Sequence, residues 1–301
     1  MTGALSSWKD GPAKQAILDF VASATRAGPG FVPVTDRIAA FDNDGTLWVE
    51  QPVPPQFDFQ FRKWAEEVRD DPSLAGRQPY KAVAEEDAAF FERAATQDPQ
   101  VVAPLLEAFA RSWAGTTPEE FEAQVRAWIA TAKQPKLGRP YVQLVYRPML
   151  ELFDLLKAHD FRVFVCSGGG RDFMRVFAEE TWGLHRENVI GTASAFSYRD
   201  GRIIRTGDVV GGLDLGPGKP EHIFAQTGRL PVFAGGNADV DVEMLESATF
   251  ALLIDHDDPQ REFAYTKGAV KSLAKAAELG WTVVSMKNDW TTVFADEGGP
   301  P

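Results

Sequence analysis

The sequence predicts a doubly wound α/β fold, a parallel sheet with helices on both faces, interrupted by one helical insertion. Three observations carry this reading. Short apolar runs bounded by turn residues alternate with stretches of helical periodicity; the alternation stops between Trp48 and about Arg147, where one helical pattern follows another; and the apolar runs end in acidic, glycine or serine residues. Strands alternating with helices imply right-handed crossovers and a sheet covered on both faces.

In chain order, residues 1–20 read as a loop leading into an amphipathic helix, without the basic stretch and continuous apolar segment of a secretory leader. Residues 37–42, Arg-Ile-Ala-Ala-Phe-Asp, form the first strand, apolar throughout because a central parallel strand is buried on both faces. The insertion follows, with helices expected over residues 57–68, 81–94, 102–113 and 118–132. Its edges, residues 51–55 and 134–140, are proline-rich and suit hinges, because proline stiffens a loop and resists helix continuation. The expected division is a core of residues 1–48 and 147–301 with a helical cap of residues 49–146. Further strands are expected at 161–166, 231–234, 250–254 and 281–285, and further helices at 149–157, 171–182, 221–226 and 269–279. Asp200-Gly201 lies between alternating apolar positions of residues 193–204 and signals a hairpin. No internal repeat is evident, and the Gly-Gly-Pro-Pro tail is expected to fray.

Composition excludes several classes. With 301 residues and 44% hydrophobic side chains the chain can bury a sizeable core, so intrinsic disorder is excluded. A net charge of −12, from 43 acidic and 31 basic residues, repels nucleic acid and anionic membrane. No window reaches the ~18 consecutive apolar residues of a membrane span. One cysteine, Cys166, rules out an internal disulfide framework and a multi-thiolate metal site, and a reducing cytoplasm is the expected location.

Ligands of open α/β sheets bind beyond the carboxyl ends of the strands. The first strand ends in Asp42-Asn43-Asp44-Gly45-Thr46, two carboxylates that suit a hard cation, with Gly45 allowing close approach to a phosphate; an Asx-rich turn is the alternative. The second ends in Ser167-Gly168-Gly169-Gly170 before a helix, an anion nest or a capped helix start. Lys219, in Gly-Pro-Gly-Lys-Pro, offers an ammonium for a phosphoryl group from a rigid loop just before a helix, or a solvated side chain. That loop is no Walker P-loop, because Leu213 and Pro220 occupy required positions, and Phe173 breaks a dinucleotide fingerprint at 168–173. After residues 231–234 come Asn237, Asp239 and Asp241, further oxygen ligands or an acidic helix start.

Four such signals in one order resemble a phosphatase of the haloacid dehalogenase superfamily. Asp42 to Thr46 match its first motif, Ser167 the second, Lys219 the third, and Gly236-Asn237 through Asp241 the fourth; the insertion sits where phosphoserine-phosphatase-like members carry a helical cap. The resemblance implies a nucleophile at Asp42 forming an aspartyl-phosphate, and a general acid and base at Asp44. Ser167 and Lys219 would hold the phosphoryl group, with Gly45, Thr46, Gly168 and Gly169 lining the phosphate site. Mg2+ would be held by Asp42, the Asp44 carbonyl and a fourth-motif side chain, Asn237 with Asp241. The implied activity is phosphomonoester hydrolysis of a small phosphorylated metabolite. The alternatives are a phosphotransferase or mutase with the same intermediate, and a catalytically silent binding protein.

The fourth motif departs from the family form: asparagine stands where the first carboxylate is usual, so weaker metal affinity is expected, and Asp239 is a substitute candidate. Residues 255–258, Asp-His-Asp-Asp, read as a charged loop outside the catalytic set, and Cys166 as a small buried thiol. The tryptophans at 48, 64, 113 and 128 read mostly as helix packing, with Trp48, so near the first motif, a candidate to face the substrate. Glu50 falls one position short of the family's substrate-amine acid, and Arg62, Lys63 and Arg69 read as a solvated helix face.

Overall fold

The computed structural model describes residues 5–95 and 98–298, so the tail expected to fray lies almost wholly outside the described residues. Helix α1 (Pro12–Thr25) precedes strand β1 (Ile38–Phe41). Helices α2 (Pro55–Asp70), α3 (Tyr80–Ala84), α4 (Ala88–Ala95), α5 (Pro99–Trp113) and α6 (Pro118–Ile129) follow without an intervening strand. Then come α7 (Arg147–Ala158), β2 (Arg162–Gly170), α8 (Arg171–Met174), α9 (Ala178–Trp182), β3 (Val189–Arg199) and β4 (Arg202–Val210). The chain continues through α10 (Gly218–Thr227), β5 (Phe233–Gly236), α11 (Val242–Glu246), β6 (Phe250–Asp257), β7 (Ala264–Tyr265), α12 (Val270–Leu279), β8 (Thr282–Ser285) and α13 (Met286–Asp289).

The strands lie in the order β4-β3-β2-β1-β5-β6, with β7 and β8 both on β6. From β3 to β6 every neighbour is parallel, and Phe41 pairs with Val165 on one side and Gly235 on the other. The chain fills the sheet outward from β1 in one direction, then from β5 in the other. The β1–β5 junction is therefore the switch point, and its carboxyl-end crevice is where a ligand belongs. Period-2 geometry sends alternate side chains to opposite faces. Ala39, Phe41, Val165 and Phe233 join one buried cluster, Ile38, Ala40, Cys166 and Ala234 the other, which explains why these strands read as unbroken apolar runs. Gly235 is required beside Phe41, since a Cβ there would lie 2.5 Å from that ring.

The inserted helices have apolar packing of their own around Trp64, Tyr80, Phe90 and Leu105, while Phe121, Val125 and Trp128 of α6 join the main cluster. Instead of hanging apart, the two proline-rich edges are tied together: Gln134 Nε2 donates to the Gln51 carbonyl at 2.8 Å. The hairpin turns at Asp200-Gly201 with φ of 48° and 80°, and its second strand braces the insertion. Gly115 N donates to the Arg205 carbonyl, and Arg205 N to that of Thr116, each at 2.9 Å. The Arg205 guanidinium lies 4.1 Å over Phe121 of α6 and binds Asp172 of α8 at 2.9 Å.

Several elements differ from expectation. The helix expected over 81–94 breaks at Glu86, whose φ is 51°, because Asp87 caps a new start by accepting from Phe90 N. The helix expected over 171–182 breaks into α8 and α9, a bend that packs Phe177 on both Phe173 and Trp182. Val189-Ile190-Gly191 opens a parallel strand too short to register as an apolar run. Lys219 lies within the first turn of α10, not in the loop before it.

Candidate active site

Three adjacent parallel strands deliver their ends to one crevice: Ser167 from β2, Asp42 after β1, and Asn237 after β5. Asp42 continues the ladder, its N–H donating to the Gly235 carbonyl at 2.9 Å. Lys219 reaches the same place from α10 with no exposed surface, and its ammonium lies 2.6 Å from Asp42 Oδ1 and 2.5 Å from Asp241 Oδ1. Burial alone would push the ammonium towards neutrality, but Asp241 and Asp42 outweigh it and hold Lys219 charged above its usual range. One cation between two carboxylates leaves negative charge in excess. Burial and then Asp241 push the Asp42 carboxyl well up, against the pull of Lys219. No hydrogen bond among the described residues falls on Asp42 Oδ2.

Asp44 sits two residues on, half-buried, and Trp48 Nε1 donates to its Oδ1 at 2.8 Å. Burial raises its carboxyl to about 7, the indole opposing and Glu50 adding to the rise. Its Oδ2, Ser167 Oγ and Gln56 Oε1 surround one point, lying 3.9, 3.5 and 3.0 Å from where a Cβ on Gly169 would sit, so the glycine keeps that space clear. Gly169 N donates to Ser167 Oγ at 3.1 Å, and Gly170 N to Gln56 Oε1 at 2.7 Å. Gln56 opens α2, so the inserted helices touch the nest directly. At Gly168 the reason for glycine is packing, since a Cβ would lie 2.2 Å from Leu215.

Three of the family-based assignments change on this geometry. Gly45 N donates to the Trp48 carbonyl and Thr46 N to that of Asn43, so neither amide is aimed at an anion. Gly45, at φ 74°, instead lets Asn237 come close: a Cβ would lie 2.1 Å from Asn237 Nδ2. Asp241 has both oxygens engaged, Oδ1 by Lys219 and Oδ2 by the N–H groups of Asn237 and Ala238 at 3.0 and 2.9 Å. It anchors the lysine and the loop. Asp239 accepts from Ser272 N at 2.8 Å on α12, which leaves Asn237 as the fourth-motif side chain beside the first-motif loop.

Residues 39–246 match the sequence pattern of the haloacid dehalogenase-like hydrolases. The chain belongs to that family. No curated protein matches it. Among solved structures it is similar to a protein of unknown function from Bordetella pertussis Tohama I, at 19% identity over 83% of this chain and 98% of that one, with a TM-score of 0.53. It is also similar to a functionally unknown protein from Anaerococcus prevotii DSM 20548, at 16% identity over 89% and 90%, with a TM-score of 0.52. At these identities the likeness is one of fold.

Members of this family are expected to hold a divalent cation, and the donor set fits one. Among the described residues no three His, Cys, Asp or Glu side chains form a metal cage. The Asp42 carboxylate, the Asp44 carbonyl and the Asn237 amide oxygen are all hard oxygen donors, as Mg2+ prefers. Asp42 and Asp241 share the ammonium of Lys219, the charge of Asp44 reaches Asp42, and burial raises the carboxyls of Asp42 and Asp44. Such an excess of buried negative charge is what a divalent ion offsets.

Several supporting residues escaped the sequence reading. Trp48 does not face a substrate; it is fully buried against Phe177 and Trp182, with its N–H on Asp44. Residues 255–258 are no charged loop: β6 runs through Asp257, and His256 is buried between the Gly45 carbonyl at 2.8 Å and Glu262 at 3.1 Å. Cys166 is buried as expected, its thiol on Asp214 at 3.2 Å and pushed well up by burial. The spacing of Trp48 four residues after Asp44 was the one local signal available. Of the two partners of His256, Glu262 is six residues on, but the Gly45 carbonyl lies 211 residues away and nothing local marks it.

Proposed function

We propose that this family member is a Mg2+-dependent phosphomonoesterase acting on a small phosphorylated metabolite. The observation that carries the reading is the buried Lys219 ammonium bound to Asp42 Oδ1 at 2.6 Å, with no hydrogen bond on Asp42 Oδ2 among the described residues. A carboxylate held by one oxygen and open at the other is an oriented nucleophile. Asp42 Oδ2 attacks phosphorus, the P–O(ester) bond breaks, and an aspartyl-phosphate forms. Asp44, its carboxyl raised to about 7, gives the leaving alkoxide its proton and then takes one from the water that hydrolyses the intermediate. Ser167 and Gly168 hold the phosphoryl oxygens, Gly169 keeps the space beside them clear, and Lys219 offsets their charge. Asp42, the Asp44 carbonyl and Asn237 would hold the Mg2+, which when bound supplies a Lewis acid for the phosphoryl group. The inserted helices act as a cap: Gln56 meets the nest at Gly170, excluding bulk water from the crevice. A cytoplasmic setting is part of the proposal, in keeping with a single, buried cysteine; among the described residues no helix is long and apolar enough to cross a membrane.

The test is phosphate release from p-nitrophenyl phosphate with and without Mg2+. Wild type is expected to turn over only with the ion, and Asp42→Asn to fall to background. Turnover that survives Asp42→Asn rejects the mechanism.

A further inference from the structure

Asparagine at position 237 brings no charge to the place where a metal-ligating carboxylate is usual, and the structure puts a carboxylate directly behind it. Glu50 Oε1 accepts from Asn237 Nδ2 at 3.0 Å, and Tyr265 donates to the same oxygen at 2.5 Å from the short strand β7. Thr46 Oγ1 donates to Asn237 Oδ1 at 2.9 Å, on the opposite side of the amide. A Cβ on Gly45 would lie 2.6 Å from Glu50 Oε1 and 2.1 Å from Asn237 Nδ2, so glycine is what lets the pair meet under the first-motif loop. Glu50 Oε1 can only accept, and that fixes which way the amide faces: Nδ2 to Glu50, Oδ1 away from it. The charge of Glu50 is also felt at Asp44.

We infer that Glu50 is the positioning residue that supplies the negative charge the fourth motif lacks, orienting the Asn237 amide so that Oδ1 is its ligating atom and polarising it towards a divalent cation. The chemistry parallels a carboxylate behind a metal-bound imidazole, where the outer partner fixes the ligand's orientation and strengthens it as a donor. The inference rests on the divalent-cation reading above.

The test is a charge exchange read by ion binding without substrate. Free Mn2+ is titrated by electron paramagnetic resonance against wild type, E50Q, N237D and the double variant N237D/E50Q, with circular dichroism to check each fold. E50Q is expected to weaken Mn2+ binding by about tenfold or more. N237D alone is expected to gain less than about threefold, because it sets two carboxylates face to face. The double variant, with the charge moved from position 50 to position 237, is expected to regain wild-type affinity. Unchanged affinity in E50Q, or a double variant no better than E50Q, overturns the inference. Should E50Q lose its fold, N237D decides: a gain of about tenfold with Glu50 in place overturns it. Phosphate release from the same samples separates the two readings. Wild type that binds Mn2+ but hydrolyses no p-nitrophenyl phosphate ends the phosphatase reading and leaves the Glu50 result standing. Wild type that binds no Mn2+ overturns the inference.

Discussion

Trp48 shows how much rests on single side chains, because its indole N–H is the shorter of two donors on Asp44 Oδ1, the other being Asn43 Nδ2, and its ring is locked between Phe177 and Trp182. Trp48→Phe keeps an aromatic ring and removes that donor. It is expected to lower kcat by roughly tenfold to a hundredfold through a loosened acid, with KM little changed. Steady-state kinetics on p-nitrophenyl phosphate check this, and an unchanged kcat would show that Asp44 needs no such support. His256 is the second such residue. Both its partners, the Gly45 carbonyl and the Glu262 carboxylate, can only accept, so the ring must donate from both nitrogens and carry a charge. Burial pushes its pKa down, but Glu262 and the Gly45 carbonyl push harder, and the net shift is upward. A raised folded-state pKa gives stability that is complete below the unfolded value of about 6.5 and is lost as pH rises through the folded one. The stability gap between wild type and His256→Gln should therefore be widest near pH 6 and narrow towards pH 9. Urea denaturation at several pH values measures it, and a gap that grows with pH contradicts the charged ring.

Among elements, α6 is the seat of the insertion on the core, carrying Phe121 beneath the Arg205 guanidinium and Trp128 into the main cluster. Its start is a reciprocal cap: Thr117 Oγ1 accepts from Glu120 N at 3.2 Å, and Glu120 accepts from Thr117 N at 2.9 Å. Thr117→Ala should cost about 1 kcal/mol, and the melting temperature should fall by about 1–2 °C for a chain of this size. A melting point that does not move would mean that tertiary packing alone sets this helix end. What the sequence revealed at this scale follows from burial. Strands buried on both faces write continuous apolar runs such as Ile38–Phe41, and their carboxyl ends carry the site residues, so both could be read locally. Where partners are distant the reading failed. The Glu50–Tyr265 and His256–Gly45 pairs join residues more than 200 positions apart, and the breaks at Glu86 and near Phe177 answer to capping and aromatic packing that periodicity does not register. The division into core and cap stays a proposal: the insertion has its own apolar cluster around Trp64, yet α6 and the hairpin bind it to the core.

For the molecule as a whole, charge and stability meet in the crevice. The chain carries a net charge of −12, and in the crevice Asp42 is repelled by Asp241 and Asp44, and Asp44 by Glu50, within a sheet that holds them in place. The fold therefore keeps an electrostatic strain that a bound divalent cation would relieve, and any ion that binds the folded state but not the unfolded chain stabilises it by RT ln(1 + [L]/Kd). With ~10 mM Mg2+ and a dissociation constant near ~1 mM, that is about 1.4 kcal/mol, or a rise of roughly 2–3 °C in melting temperature. The rise should follow a saturable curve in Mg2+ and be absent with the same ionic strength of NaCl, since screening acts on the whole surface whereas the ion acts at one place. In Asp42→Asn, which removes one of the repelling charges and a ligand together, the apo protein should melt higher than wild type while the Mg2+-dependent rise shrinks. Differential scanning fluorimetry resolves the two effects. Equal Mg2+ shifts in wild type and Asp42→Asn would place the ion somewhere other than the β1–β5 crevice.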